Sequence, residues 1–441
     1  MAVVFGLTLI VSALITAVLH HVFLGLPLFC GYIYFSALCL KRGYSVNSLI
    51  NMSLDGAKKA LIVIPILLSL GCLTAMWMAA GTVASFVYYG LAFISPPFFI
   101  FIAFLSTSII SLLLGSSLGS VGTIGMILMT LARGGNVNPY LTAGAIISAA
   151  IVGDRGSPMA STLHLLSTVT ETDIFRNIKM ALLTTVGPYI ITALLYLPLS
   201  LHNPLIAGET ALRQDIAQYF NIGWLPFMPA LIIILLCGLK FDIKFAMLIS
   251  AASACLIAFF TQGINWQTLA LALMRGFEPE QSSSLYHIIH GGGMWAMLKT
   301  SLILLIACAL SGILLGINAL SGLNKLLAKP CGRLGLFLKT TALGLAGICC
   351  GCNQVIPVVI CGQMMVKPYE ENGFSRYDLA KDISLTVLPL AGVIPWCLLS
   401  IAATTTLGMP LAHHLPWLFY PIILPLWHGM SYALKKPRLP S

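Results

Sequence analysis

The sequence predicts an all-α protein that crosses a membrane many times, with about ten to twelve membrane segments. Three observations carry this prediction. Hydrophobic residues make up 59% of the 441-residue chain and charged residues only 8%, against roughly 25% charged in soluble domains. Apolar runs near the bilayer-spanning length recur from end to end. Glycines, prolines and polar residues interrupt those runs in two matched pairs. So much apolar surface cannot be hidden from water by folding alone, so a bilayer must act as its solvent.

The apolar runs are, in order, Val3–Leu19, Val22–Leu40, Ala60–Ala80, Phe98–Leu114, Leu182–Leu199, Leu225–Leu239, Phe245–Phe260, Met294–Ile317, Thr340–Cys350, Ile383–Ala403 and Leu415–Met430. The first has no basic stretch before it and no clear small-residue cleavage site, so it reads as a retained helix rather than a signal peptide. The formal net charge of +10 is concentrated in short connections: Lys41-Arg42, Lys58-Lys59, Arg176 with Lys179, Lys325 with Lys329, and Lys435-Lys436-Pro437-Arg438. Basic loops mark the cytoplasmic side. The 41–60 region and the C-terminus are therefore expected on the inner face of the cytoplasmic membrane, and no nucleic-acid partner is implied. Twelve cysteines lie scattered in apolar runs, where a thiol packs as a small hydrophobe; they form no secreted disulfide framework. The cluster Cys349-Cys350-Gly351-Cys352 lacks the second pair or histidines that a zinc site needs, and reads as packing.

In lipid every backbone N–H and C=O needs a partner, so a break in a span survives only where protein buries it or it lines a wet cavity. The first pair of breaks is LLLGSSLGSVGTIGMIL, Leu112 to Leu128, expected to turn back at a tip over Gly115–Thr123, and GDRGSPMAST, Gly153 to Thr162. The second is GLAGICCGCNQVIPVVI, Gly344 to Ile360, and DISLTVLPLAGVIPWCLLS, Asp382 to Ser400, broken at Pro389, Gly392 and Pro395. A hairpin-like break followed by a broken helix thus occurs once in each half. Matched interruptions in two halves point to a transporter site near the midplane. For any one segment alone, small residues permitting close helix packing are the better account; the two matched pairs favour transport.

Of thirteen acidic residues, Asp154 alone reads as lying deep between apolar runs, while Asp382 reads as sitting at the mouth of its span. A charge at the bilayer centre costs about 2.5–3.5 kcal/mol on insertion scales, and such residues usually face a pathway. A carboxylate with a reference pKa of about 3.9, which burial raises, holds either a proton or a hard cation such as Na+. That competition is the minimal machinery of antiport. Ser157, Ser161 and Thr162, with carbonyls freed at the break, are candidate oxygen ligands. Gly153, Gly156 and Pro158 would open the helix. Arg155 either pairs with Asp154 in a purely structural way or points elsewhere. His164 is either a proton-handling group, a role imidazoles often take, or a satisfied interior residue. Asn353 and Gln354, at the second tip, are either ligands or helix-packing amides.

The run Gly153-Asp154-Arg155-Gly156-Ser157-Pro158, preceded by AGAIISAAIVG and followed by ETDIFRNIKM, resembles the NhaC family of Na+/H+ antiporters, whose motif is close to GDKxSPLSDTTNLA. Trp77 with Gly81, Tyr88-Tyr89-Gly90, GSSLGSVGTIG, Gly291–Gly293, Asn353-Gln354, Gly362 with Met364, and Ile394-Pro395-Trp396 extend the resemblance over roughly residues 43 to 430. It implies an ion-transporter-superfamily fold of two inverted repeats, each with a re-entrant hairpin and a broken helix. It also implies Na+/H+ exchange, with organic acids such as malate and lactate coupled in some relatives, and a possible homodimer. The chain departs from the pattern at Ala160-Ser161-Thr162-Leu163-His164, where a second carboxylate and an amide of the family are absent. It departs again at Lys381-Asp382-Ile383-Ser384-Leu385-Thr386, and at Cys397 after Pro-Trp.

The expected organisation is an N-terminal helical hairpin over 1–42, a first transport repeat over 43–200, connecting helices and loops over 201–290, and a second repeat with the C-terminal tail over 291–441. The expected function is secondary transport by alternating access, Na+/H+ antiport first. Asp154, Ser157, Ser161, Thr162, Ser117, Thr123, Asn353, Gln354 and Asp382 are the candidate ion ligands, and no cofactor is expected beyond the transported Na+ and H+. The alternatives are an organic-anion or amino-acid transporter using Arg155 and the serine-rich tip, and a channel. No nucleophile–base constellation, metal motif or phosphate loop supports an enzyme.

Overall fold

Caps written into the sequence set where the helices begin and end. The computed structural model describes residues 2–20, 22–93, 96–205, 209–279, 285, 288–317, 327, 329 and 331–434. Glu280, Lys325, Lys435, Lys436 and Arg438, with the side chains of Lys59 and Glu209, lie outside the described residues. Helices α1 (Ala2–Leu19) and α2 (Gly25–Lys41) pack against each other ahead of α3 (Val46–Ala79) and α4 (Thr82–Phe93). Then come α5 (Phe99–Leu114), α6 (Ser117–Ser120), a π turn at Val121–Gly125, α7 (Met126–Gly134), α8 (Pro139–Gly156), α9 (Ser161–Thr170) and α10 (Ile174–His202). The middle of the chain holds α11 (Glu209–Tyr219), α12 (Met228–Gly238), α13 (Ile243–Gln262) and α14 (Trp266–Arg275). The last part holds α15 (Met294–Gly316), α16 (Arg333–Gly351), α17 (Val355–Glu371), α18 (Arg376–Leu390), α19 (Leu398–Thr406) and α20 (Phe419–Leu434). No strand occurs among the described residues beyond an isolated bridge between Phe277 and Gly291.

Several starts have a local cause. Ser45 accepts from Ser48 N to open α3, Asp173 from Arg176 N to open α10, and Ser375 with Asp378 closes a capping box on α18. Asn138 accepts from Tyr140 N and Leu141 N, with Pro139 in the first turn of α8. Such caps satisfy N–H groups that a helix start leaves open.

Among the described residues, six helices are long and apolar enough to cross a membrane: Val46–Ala79, Pro96–Leu114, Ile174–His202, Ile243–Gln262, Met294–Gly316 and Arg333–Gly351. Phe5–Leu19, Gly25–Lys41 and Leu225–Gly238 are shorter and apolar. The two expected broken segments are each interrupted by a non-helical stretch, residues 157–160 after the 18 residues of α8 and residues 391–397 after the 15 residues of α18. The outward face of α10 is apolar. On α10, Leu183, Val186, Ile190 and Leu194 are exposed while Asn177, Thr192 and Ser200 are buried, the reverse of a water-facing helix and the pattern lipid requires. Helices α3 and α15 approach closely because Gly56 and Gly312 meet; a Cβ on either would collide with the other helix's backbone. Small residues at such crossings let backbones touch.

The expected turn over Gly115–Thr123 is tighter in the structure. Gly115 takes the left-handed conformation (φ 64°) as the C-cap of α5, and Ser116 accepts from Gly119 N as the N-cap of α6. Two residues suffice to reverse the chain, so residues 117–134 return as one helical run with the π turn inside it.

Candidate functional site

Helix α8 ends at the break. Ser157 is extended (φ −89°, ψ 136°), and its Oγ accepts from Met159 N at 3.2 Å. Thr162, in the first turn of α9, donates from Oγ1 to the Asp154 carbonyl at 3.0 Å. The Asp154 carboxylate is buried at 5% exposure. Its Oδ1 accepts from Ser117 N, the first residue of α6, at 2.9 Å, and its Oδ2 accepts from Gln354 Nε2 at 3.2 Å. Gln354 is the N-cap residue of α17. The tips of both hairpin turns therefore converge on one carboxylate, each bringing the start of a helix, where the backbone dipoles favour negative charge. Gln354 Oε1 is buried and has no hydrogen-bond partner.

Glycines set the approach. A Cβ at Gly153 would collide with the backbone oxygen and the hydroxyl of Ser111 on α5. Ser111 Oγ donates to Ala150 O at 2.5 Å and accepts from Gly153 N at 3.1 Å. A Cβ at Gly115 would meet Met159 and Ala160, so the first tip seats on the first break. The second half repeats this contact: Leu398 N donates to Cys352 O at 2.8 Å, and Trp396 Nε1 donates to Cys349 O at 3.2 Å.

The other expected site residues sort by position. Thr123 lies in the π turn and donates to Gly119 O at 2.8 Å. Asn353 is buried and acts locally: Oδ1 accepts from Ile356 N at 3.1 Å and Nδ2 donates to Gly351 O at 2.9 Å. Ser161 and His164 are exposed on α9, with His164 Nε2 at 3.0 Å from Pro158 O. Gly156 packs on Leu112 and Leu182. Pro389 falls in the last turn of α18, and Pro395 in the 391–397 break.

Asp382 differs from the sequence expectation. It is fully buried, not at a mouth, and its hydrogen bonds are not with the groups at Asp154. Arg333 grips it with both terminal nitrogens, Nη2 to Oδ1 at 2.7 Å and Nη1 to Oδ2. Tyr369 donates at 2.6 Å and Tyr432 at 3.2 Å. No local signal in the sequence marks this cluster, since Arg333 lies 49 positions from its partner.

Arg155 does not pair with Asp154. Its guanidinium is fully buried among oxygens of three other helices. Nε donates to Ser384 O at 2.7 Å, Nη1 to Thr185 Oγ1 at 2.7 Å and Tyr420 OH at 2.9 Å, and Nη2 to Thr184 Oγ1 at 3.3 Å. Neighbours in sequence, the two side chains engage different partners. Among the described residues, no group of three or more His, Cys, Asp or Glu side chains is placed to hold a metal.

The chain is 28% identical over 409 residues to an uncharacterised Na+/H+ antiporter of Haemophilus influenzae, covering 90% of this chain and 86% of the relative. It is 28% identical to the Na+/H+ antiporter NhaC of Bacillus subtilis, covering 98% and 96%. It is 25% identical to the malate-2H+/Na+-lactate antiporter of the same bacterium, covering 94% and 91%. The model of the Na+/H+ antiporter family matches residues 152–431, a stretch that opens at the Asp154 break and takes in Gln354, Asp382 and α20. Covering more than half of the sequence, that match makes this chain a member of the Na+/H+ antiporter family.

Proposed function

We propose that this chain is a secondary Na+/H+ antiporter of the NhaC type, in which Asp154 carries proton and cation in turn while the protein alternates between two openings. The observation that carries the reading is the convergence of Ser117 N–H and Gln354 on the one buried carboxylate. With neither ion bound, the two donors hold the anion. A cation arriving there meets Asp154 and the unpartnered Gln354 Oε1. A half-turn of the Gln354 amide exchanges its donor for its acceptor, so one side chain serves both the empty and the loaded carboxylate. Hard monovalent and divalent cations take oxygen ligands of this kind. A proton on Asp154 removes the charge that holds the cation, and this exclusion couples the two fluxes.

The paired hairpin and broken helix on each side support two inverted repeats, α3–α10 and α15–α20, with re-entrant hairpins at 99–134 and 333–371 and the α1–α2 pair ahead of them. Helix alternation then places residues 42–45, 171–173, 239–242 and 372–375 on one face, together with Lys41, Arg42, Arg176, Lys179, Lys240, Lys244, Arg333 and Arg376. The other face has Arg133, Arg213, Arg275 and Lys299. By the charge rule the first face is cytoplasmic, in the inner membrane. Arg155 does not favour the organic-anion reading, since protein oxygens occupy its donors. A homodimer remains a proposal from the family resemblance.

The test is cation-driven proton movement in proteoliposomes holding a pH dye, with Na+, Li+ or K+ added outside. The wild type should move protons in response to Na+, and Asp154→Asn should lose the response. A folded wild type that ignores every cation would refute the assignment.

A further inference from the structure

We infer that a water-filled vestibule leads from Asp154 to the face carrying Glu171, Glu370 and Arg376, walled by the polar side of α9 and by the adjoining α17. It is the route by which hydrated cations and protons reach the carboxylate from that face, and in this sense it rests on the reading of Asp154 as the ion site.

The argument begins with what each helix exposes. On α9, Leu163, Leu166, Ser167 and Thr170 are buried, whereas Ser161, His164 and Thr168 are exposed. On α17, Gln363, Lys367 and Glu370 are exposed, and apolar Ile356, Ile360 and Met365 are buried. Apart from Val355 in the first turn of α17, polar residues face outward and apolar ones inward, the arrangement of a helix beside water. The lipid-facing α10 of the same molecule shows the opposite. The Gln363 amide facing hydrocarbon would cost several kcal/mol without a partner; His164 keeps one ring nitrogen on Pro158 O.

Position fixes where this water lies. Both helices start at the site, since Thr162 binds the Asp154 carbonyl and Gln354 its carboxylate. They lie against each other where Val169 of α9 fills the space beside Gly362 of α17. Both end at one surface, where Arg376 pairs with Glu171 and Glu370. The 10 residues of α9 span about 15 Å at 1.5 Å per residue, half of a hydrocarbon core of roughly 30 Å. The stripe therefore reaches from mid-membrane to one face and no further. On the other side of Asp154, α8 is buried from Leu141 to Gly156.

The experiment is thiol accessibility. His164→Cys, Thr168→Cys and Gln363→Cys would be labelled in everted and in right-side-out vesicles with a membrane-impermeant methanethiosulfonate ammonium reagent, against the background of the native cysteines. Leu183→Cys on α10 is the lipid-facing control. All four positions are exposed, so the substitutions leave the packing intact. The three vestibule positions should react about tenfold or more faster than the control, since a thiolate, formed in water, attacks the reagent's sulfur and expels methanesulfinate, and from one vesicle orientation only. Rates at 164 and 168 equal to the control, or equal from both sides, would overturn the vestibule. Labelling does not require transport, so the two readings fail separately. If Asp154→Asn keeps the labelling pattern but wild type shows no Na+-driven proton movement, the antiport reading falls and the vestibule stands.

Discussion

Removing Arg333 tests what Asp382 is for. The Asp382 carboxylate is fully buried and accepts four hydrogen bonds, two from Arg333 and one each from Tyr369 and Tyr432. In Arg333→Leu two of the four donors vanish together with the only guanidinium that grips it among the described residues. An uncompensated buried charge costs about 3–5 kcal/mol. The guanidinium also lies 4.3 Å from the Tyr432 ring centroid, and losing that contact adds about 0.5–2 kcal/mol. The double variant Arg333→Leu with Asp382→Asn removes the stranded charge, and an apolar replacement of a buried pair is often neutral. It should recover most of the loss, to within about 1–2 kcal/mol of wild type on the same reasoning. Equilibrium unfolding in mixed micelles gives the stability of all three proteins, and the proteoliposome assay gives their transport. If Arg333→Leu unfolds within about 1 kcal/mol of wild type, no charged pair was held there. If the double variant is stable yet no longer couples Na+ to protons, Asp382 belongs to the transport machinery rather than to the scaffold.

Gln354→Leu should weaken the apparent Na+ affinity by about tenfold or more, equivalent to 1.4 kcal/mol, because it deletes a buried side-chain oxygen that has no hydrogen-bond partner beside Asp154; a change below about twofold would remove Gln354 from the ligand set. Asn353→Ala should instead cost about 0.5–2 kcal/mol of stability through the lost cap on Ile356 N, leaving the Na+ concentration dependence of proton movement in place. Gly153→Ala forces a methyl into Ser111, with an expected destabilisation of about 1–3 kcal/mol and a loss of transport larger than the loss of folded protein, since Asp154 is the next residue. Normal transport at normal yield would show that α5 and α8 can separate without disturbing the site.

Several features of the site were legible in the sequence because they are local. A low share of charge and recurring apolar runs require lipid whatever the packing. Glycine, proline and serine clusters mark where a helix cannot continue, and the structure breaks at residues 115–116, 157–160, 352–354 and 391–397. Asp154 was conspicuous because its flanks are apolar on both sides. Asp382 was misjudged because the lysines and acidic residues before it suggested a solvated mouth, whereas Arg333 and two tyrosines fold over it.

The sequence by itself determined that the chain is helical, lives in a membrane, breaks twice in each half and carries a carboxylate in one of those breaks. Only the tertiary structure decided which groups meet that carboxylate. Gln354 lies 200 positions from Asp154, and Arg155 faces away from its own neighbour toward α10, α18 and α20. The physical reason is rotational: successive residues on a helix point about 100° apart. Adjacent side chains therefore enter different surroundings, and only the packing of distant helices fixes what those surroundings are.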